Sequence, residues 1–321
     1  MGRKRTTTLI AVAASILSVG LCGTGAAAVQ LQLKLDKGKT YYQRTMVEQR
    51  FTQTVMGQQQ VIDQSMGTGL KLDVLDVDSQ GNMRIRQTFN WSRFKAAGPM
   101  ANVDYDSAKP ATQATGAEPF AAILGQSYVI KVSPKGQVLD VNGVDELREA
   151  VLKKLPAGGE AGPAMNILDP YFKKQSVKEM TENLLAVYPE KPVEVGESWT
   201  EKKVLTLGFG MITESKWTLQ KREAGVATIA ATSSIRSNPD APPTDAQGMK
   251  IKFDISGTSE DTMRVAEATG LILIDQAQSQ LKGQIKLSTS ADGSSMMDIP
   301  VVFDTTSKVE MSDKMWEPAA K

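Results

Sequence analysis

The chain has 321 residues, 37 Lys+Arg against 36 Asp+Glu, no histidine and one cysteine. Lacking an imidazole base, it can carry neither a Ser-His-Asp nor a Cys-His nucleophile system, and zinc or copper sites built on His and Cys fall with them. Carboxylate, Lys, Tyr or Ser-Lys chemistry, hard-cation binding through oxygen, or no chemistry at all remain, and the balanced charge makes no electrostatic case for nucleic acid or anionic membranes.

The first residues read as a targeting segment. Arg3, Lys4 and Arg5 precede a short apolar run from Leu9 to Leu21, and Ala26-Ala27-Ala28 offers a small-residue cleavage site before Val29. That run is shorter than the roughly 20 residues that span a bilayer. The expectation is an exported protein, periplasmic or secreted, with residues 1–28 as signal peptide and no stable membrane insertion after cleavage. Cys22 offers lipid anchoring as the alternative, but Leu21 stands where lipobox processing wants Gly, Ala or Ser. Cleavage after Ala28 would remove the cysteine, so a single domain over 29–321 would depend on a packed core.

Residues 29–143 read as strands. Val29, Leu31, Leu33 and Leu35 alternate with polar residues, Asp36-Lys37-Gly38-Lys39 turns the chain, and a β-rich stretch runs from Tyr41 to Val55, ending at Gly57. Leu70 to Val77 is a further strand. After the turn Ser79-Gln80-Gly81-Asn82, Met83, Ile85, Phe89 and Trp91 share one face while Arg84, Arg86, Thr88 and Asn90 share the other, as in an antiparallel sheet wet on one side. Asp76 to Gln87 begins like a calcium loop, yet Gln87 stands where a Glu ligand is wanted, so a hairpin turn is expected. Ala96 to Pro119 lacks periodicity and predicts a surface loop. Phe120 to Leu124 suits a helical turn, and strands over Tyr128 to Val132 and Val138 to Val141 flank the turn Ser133-Pro134-Lys135-Gly136.

Residues 144–188 read as helical. Leu147, Val151 and Leu155 recur at spacing four, with Asp145 and Glu146 at the start and Lys153 and Lys154 at the end, as the helix dipole favours. The Gly-rich stretch Ala157 to Pro163 follows as a breaker and possible hinge, with a short helix over Met165 to Phe172. Ser176 and Glu179 have capping-box spacing, and Val177, Met180, Leu184 and Tyr188 form the stripe of the next helix. The C-terminal strands, within 193–311, are expected over Trp199 to Thr206, Ile212 to Arg222, Ala227 to Ser237, Met249 to Ser256, Asp261 to Ala268, Leu271 to Leu287 and Pro300 to Met311, with a Pro-rich loop from Asn238 to Gly248.

Sites of chemistry are scarce. Asp104 and Asp106 read as solvated surface acids, and Asn90-Trp91-Ser92 as a chance glycosylation sequon. Met296-Met297 could bind cuprous ion. The 15 methionines, against 8 Phe, 6 Tyr and 4 Trp, either fill an irregular core or line a soft cavity for an apolar ligand. On the cavity reading its lining is Met83, Ile85, Phe89, Trp91, Met180, Leu184, Ile251 and Phe253. No catalytic residue, metal ligand or cofactor is predicted.

The runs Leu33 to Tyr41, Val55-Met56-Gly57-Gln58, Val74 to Asp78 before Gly81-Asn82, Tyr128 to Val141 and Val195-Gly196-Glu197-Ser198-Trp199 together resemble an exported bacterial family classed as a domain of unknown function. At fold level the order strands, central helices, strands is similar to periplasmic lipoprotein-carrier half-barrels. The resemblance implies no activity. The fold class expected is α+β and β-rich, a large curved antiparallel sheet, half-barrel-like, with central helices on its concave face. The functional expectation is a non-enzymatic carrier or sensor of lipid or another hydrophobic ligand; the alternative is an envelope-structural or protein-interaction module with a filled core.

Overall fold

A computed structural model describes residues 28–98, 101–109, 116–155, 172–185, 188–206, 210–246, 249–288 and 297–316. The N-terminal strands are β1 (Thr40–Val55), β2 (Gln58–Val77), β3 (Met83–Gly98), β4 (Ala101–Asp106), β5 (Ser127–Val132) and β6 (Val138–Asn142), with helix α1 (Glu118–Ala122) before β5. Helices α2 (Val144–Lys154) and α3 (Lys174–Leu184) follow. The C-terminal strands are β7 (Ser198–Leu205), β8 (Met211–Glu223), β9 (Val226–Ser237), β10 (Thr244–Ala246), β11 (Met249–Ala266), β12 (Ile272–Ser288) and β13 (Met297–Ser312).

These strands form one antiparallel sheet in the order β6-β5-β3-β2-β1-β13-β12-β11-β9-β8-β7, with β4 beside β3 and β10 beside β11. The chain therefore starts mid-sheet, works out to the β6 edge, crosses through the helices to the β7 edge, and returns until β13 pairs with β1 over Tyr42 to Gln53. Laid flat, eleven strands at about 4.8 Å spacing would hold the edges roughly 48 Å apart. Yet Glu182 of α3 touches both: its Oε1 accepts the Val138 amide of β6 at 2.8 Å, and its carbonyl accepts Lys203 Nζ of β7 at 3.1 Å. The sheet is rolled, and α3 stands in the gap between its edges. Two glycines help the rolling where β11 meets β12, since a Cβ at Gly257 or Gly283 would lie 1.9 or 2.0 Å from the carbonyl oxygen of Gln280 or Asp254.

The inner face carries the main core. Leu70, Leu72, Met83, Ile85, Ile130, Leu219, Ile229, Met263 and Val265 form one cluster with Val144, Leu147 and Val151 of α2 and Val177 of α3. Leu31, Leu33 and Leu35 are buried in it as their alternation predicts, but they lie in extended chain rather than a sheet strand. Only Val29 bridges, to Val193, while the amides of Leu33 and Lys34 donate to Pro134 and Thr269 carbonyls.

Several elements depart from the sequence reading. Strand β2 begins at Gln58, twelve residues before Leu70, because the turn at Met56 and Gly57 zips it directly onto β1. The aperiodic stretch after Ala96 contains β4, paired with the end of β3. β11 runs unbroken through Ser256 to Asp261, where small polar residues suggested a gap. The Asp76 region is a hairpin turn: Asp78 accepts the Gln80 and Asn82 amides and the Asn82 side chain, and with Lys131 at 2.9 Å these hold its carboxyl well below the usual range. Helix α3 starts at Lys174 without a side-chain cap. Glu179, read as a capping-box acid, instead accepts the amide and hydroxyl of Thr206 just beyond β7. All but the last residue of the expected signal peptide, the Ala157 to Pro163 hinge, Met296 and all but the last residue of the short helix lie outside the described residues.

Candidate functional site

Of the eight residues expected to line one cavity, the seven whose side chains are described do not come together. Met83 and Ile85 are fully packed in the main core, with Phe89 half-buried against it. Trp91 is on the opposite face. Leu70 pairs with Phe89 but Gly69 with Trp91, so Asn90 is an extra residue in β3 and the alternation inverts there. Trp91 then sits over Gly67 on the outer face, with the Arg44 guanidinium 4.2 Å from its ring centre and its Nε1 donating to Asp106. Met180 is 40% exposed, because α3 turns Val177 rather than Met180 to the core. The Leu184 side chain lies outside the described residues. Ile251 and Phe253 are inward on β11, far along the sheet from Met83.

Cross-strand register divides the inner face into successive rungs. Beyond the helix-side core, one rung joins Val47 of β1, Ser307 of β13, Ala277 of β12, Asp261 of β11, Ala231 of β9, Trp217 of β8 and Trp199 of β7. The next is polar from β2 across to β7: Gln64, Gln49, Thr305, Ser279, Ser259, Ser233, Ser215 and Glu201. Within it Gln49 donates to Thr305 at 3.1 Å, and the Ser215 and Ser233 hydroxyls are 2.8 Å apart.

Past this polar belt the inner face becomes apolar again across β9 and β11 to β13, while Thr213 and Lys203 continue the first rung onto β8 and β7, and Gln53 and Gln60, hydrogen-bonded at 2.9 Å, continue the second onto β1 and β2. Ile62, Phe51, Phe303, Leu281 and, across Gly257, Ile235 make one rung; Val301 and Ile255 flank Gly283 in the next; Ile299, Ile285 and Phe253, then Met297, Leu287 and Ile251, make two more. The Phe51 and Phe303 rings are 4.8 Å apart. Met211, Ile255 and Val301 are buried in this second cluster, while Phe51, Leu281, Ile285, Ile299 and Phe303 are only partly buried. The outer side of the same strands is ionic: Arg50 pairs with Asp63 at 2.8 Å and Lys286 with Asp254 at 2.9 Å. The described helices pack on β3, β5 and β6, at the other end of the molecule's core. Sequence reasoning missed Phe51, Leu281 and Phe303 although each lies at an apolar position of a strand; only the pairing register shows that they are neighbours.

A second concavity, a cleft of about 980 Å³, lies between the β7 edge, the turn at Lys135 to Gln137, α3 and the Tyr188 to Val193 segment. Its walls mix Glu179, Glu182 and Glu201 with Lys135, Lys191 and Lys203. Burial pushes the Glu201 carboxyl up, opposed by Lys203 at 3.6 Å. Among the described residues no group of three His, Cys, Asp or Glu is arranged to hold a metal ion, and no helix is long and apolar enough to cross a membrane.

No curated protein matches the sequence. Among solved structures the chain is similar to one described as lipid-protein interactions in lipovitellin, at 8% identity and a TM-score of 0.48 over 89% of this chain, which spans 27% of that one. It is also similar to OccK7 (OpdD) of Pseudomonas aeruginosa, at 7% identity and a TM-score of 0.22 over 86% of this chain and 99% of that one. Residues 80–272, more than half of the chain, match a sequence family, and the protein belongs to that family, the family of unknown function DUF6263.

Proposed function

We propose that the protein is a non-enzymatic carrier or sensor of a hydrophobic ligand, exported to the periplasm or secreted, and that the ligand lies on the apolar inner face around Phe51, Leu281 and Phe303. One observation carries this reading. A sheet that alternates ionic-out and apolar-in through β1, β11, β12 and β13 leaves apolar residues of its inner side partly exposed, packed on one flank against the small buried group Met211, Ile255 and Val301. Apolar surface left in water is unfavourable by about 25 cal/mol per Å², so an apolar molecule that covers it gains that free energy. The rolled sheet would shield such a molecule from solvent, and the central helices would close the interior at the opposite end. Ile251 and Phe253 belong to this surface; Met83, Ile85, Phe89, Trp91 and Met180 do not.

The test is binding of the neutral apolar fluorophore N-phenyl-1-naphthylamine. Wild-type protein is expected to bind it in the micromolar range, roughly 8 kcal/mol. Phe303→Asp should abolish binding without unfolding the sheet, because position 303 is only partly buried. A folded wild type that binds no probe contradicts the reading. A second reading, a protein-interaction module, is favoured by the cleft beside β7: an extended peptide could add to that sheet edge. Partner capture that is lost on Thr200→Pro, with probe binding intact, would support it.

A further inference from the structure

The register of the inner face isolates two carboxylates. Asp261 of β11 and Asp275 of β12 are diagonal neighbours, since Asp261 faces Ala277 and Asp275 faces Met263. Val309 and Ala231 flank them on the outer neighbours β13 and β9. Residues at diagonal positions of adjacent strands are about 7 to 8 Å apart, still within reach of each other's charge. One Asp275 oxygen, Oδ1, is buried without a hydrogen-bond partner. Ser259 hydrogen-bonds Asp261.

Cations are absent from their surroundings among the described residues. The inward positions of β1, β2, β3, β12 and β13 carry no Lys or Arg. On the other side, Lys203 of β7 is paired with Glu201, and Arg222 at the far end of β8 is held bidentately by Glu267 at 2.8 Å. Glu179 and Glu182 of α3 are engaged with Thr206 and Val138. The charges of α2 lie opposite its buried stripe of Val144, Leu147 and Val151. Among the described residues no cation facing the pair compensates two negative charges on it.

We propose that Asp261 and Asp275 form a pH-responsive switch in the inner face: as neutral acids they leave it uncharged, and as carboxylates they place two uncompensated like charges on neighbouring strands. Burial, and for Asp275 the adjacent Asp261, push the carboxyls up to about 6 for Asp261 and about 7 for Asp275. In the unfolded chain both ionise near pH 4, roughly the ordinary aspartate value. The neutral pair thus contributes its full share of stability below about pH 4, and that share is lost as pH rises through 6 and 7. Charge here also opposes an apolar ligand, because Asp261 lies two rungs, about 13 Å, and Asp275 three rungs, about 20 Å, from the Phe303 rung. That second consequence rests on the ligand reading above; the first does not.

Three measurements on the full chain test the switch and its consequence for the ligand. Carboxyl carbon shifts of ¹³C-labelled aspartate, assigned with Asp275→Asn and Asp261→Asn, should show two groups titrating near pH 6 and 7; midpoints near 4 for both would overturn the proposal. Melting temperature should fall from pH 5 to pH 8 in wild type and fall less in either Asn variant, whereas parallel profiles would contradict it. N-phenyl-1-naphthylamine should bind wild type several-fold more tightly at pH 5 than at pH 8, with the difference reduced in Asp275→Asn. Absence of probe binding at both pH values would remove the ligand reading and leave the titration to decide the switch.

Discussion

Trp91 shows how a single residue's environment decides the side of a sheet it occupies. Its ring occupies the space that a side chain at position 67 would need: a Cβ on Gly67 would come within 2.3 Å of Trp91 Cη2 and 2.8 Å of Met46 Sδ. Gly67→Ala should therefore destabilise the protein by about 1 to 3 kcal/mol in urea unfolding, and the penalty should shrink in a Trp91→Ala background. Equal penalties in both backgrounds would show that the ring is not what excludes the methyl. A second residue-scale test uses a shift of the opposite sign to the aspartate pair. Arg222 holds Glu267 below the ordinary carboxylate range, so this ion pair stabilises above about pH 4.3, the ordinary glutamate value, and its contribution fades as pH falls through the lowered value. Glu267→Gln should lose about 1 kcal/mol near pH 7 and approach wild type in acid. At this scale the alternation Met83, Ile85, Phe89 was legible as inward. The inversion at Trp91 was not, because a bulge is a property of the pair of strands and the glycines opposite it, Gly67 and Gly69, lie some twenty residues earlier.

At the scale of elements, α3 determines whether the rolled sheet holds its two edges together. Glu182 binds the β6 edge and Lys203 of β7, and Glu179 binds Thr206. Glu182→Ala should leave the Val138 amide without its acceptor and cost about 1 to 3 kcal/mol. Hydrogen exchange should accelerate at Val138 and along β7 before the middle strands β1 and β13 are affected. Uniform acceleration across the sheet would mean that α3 is only part of a single cooperative core. The helix itself was legible from Val177 and its successors at helical spacing. Its keystone role was not: Glu179 three residues after Ser176 has the spacing of a local cap, and nothing in that spacing reveals a partner at Thr206, 27 residues on. Long strands were likewise cut short wherever glycine and serine resemble a turn, as at Ser256 to Asp261 of β11, where the neighbours β9 and β12 keep the backbone extended.

For the whole molecule, alternation identified which residues share a face, and hence an antiparallel, one-sided sheet with helices in the middle of the chain. It could not locate the covered and uncovered parts of that face, because cover depends on where α2 and α3 land after the chain crosses from the β6 edge to the β7 edge. Met83 and Ile85 fell under the helix-side core; Phe51, Leu281 and Phe303 fell beyond the polar belt. The central claim is that this distal inner face receives an apolar ligand, and cross-linking tests it most directly. A neutral long-chain alcohol carrying a diazirine, irradiated with the wild-type protein and mapped by peptide mass spectrometry, should label β1, β12 and β13 around Phe51, Leu281 and Phe303, with labelling competed by N-phenyl-1-naphthylamine and lost in Phe303→Asp. Labelling confined to the cleft lined by Trp199, Glu201 and Lys203, or none above that of a denatured control, would contradict it.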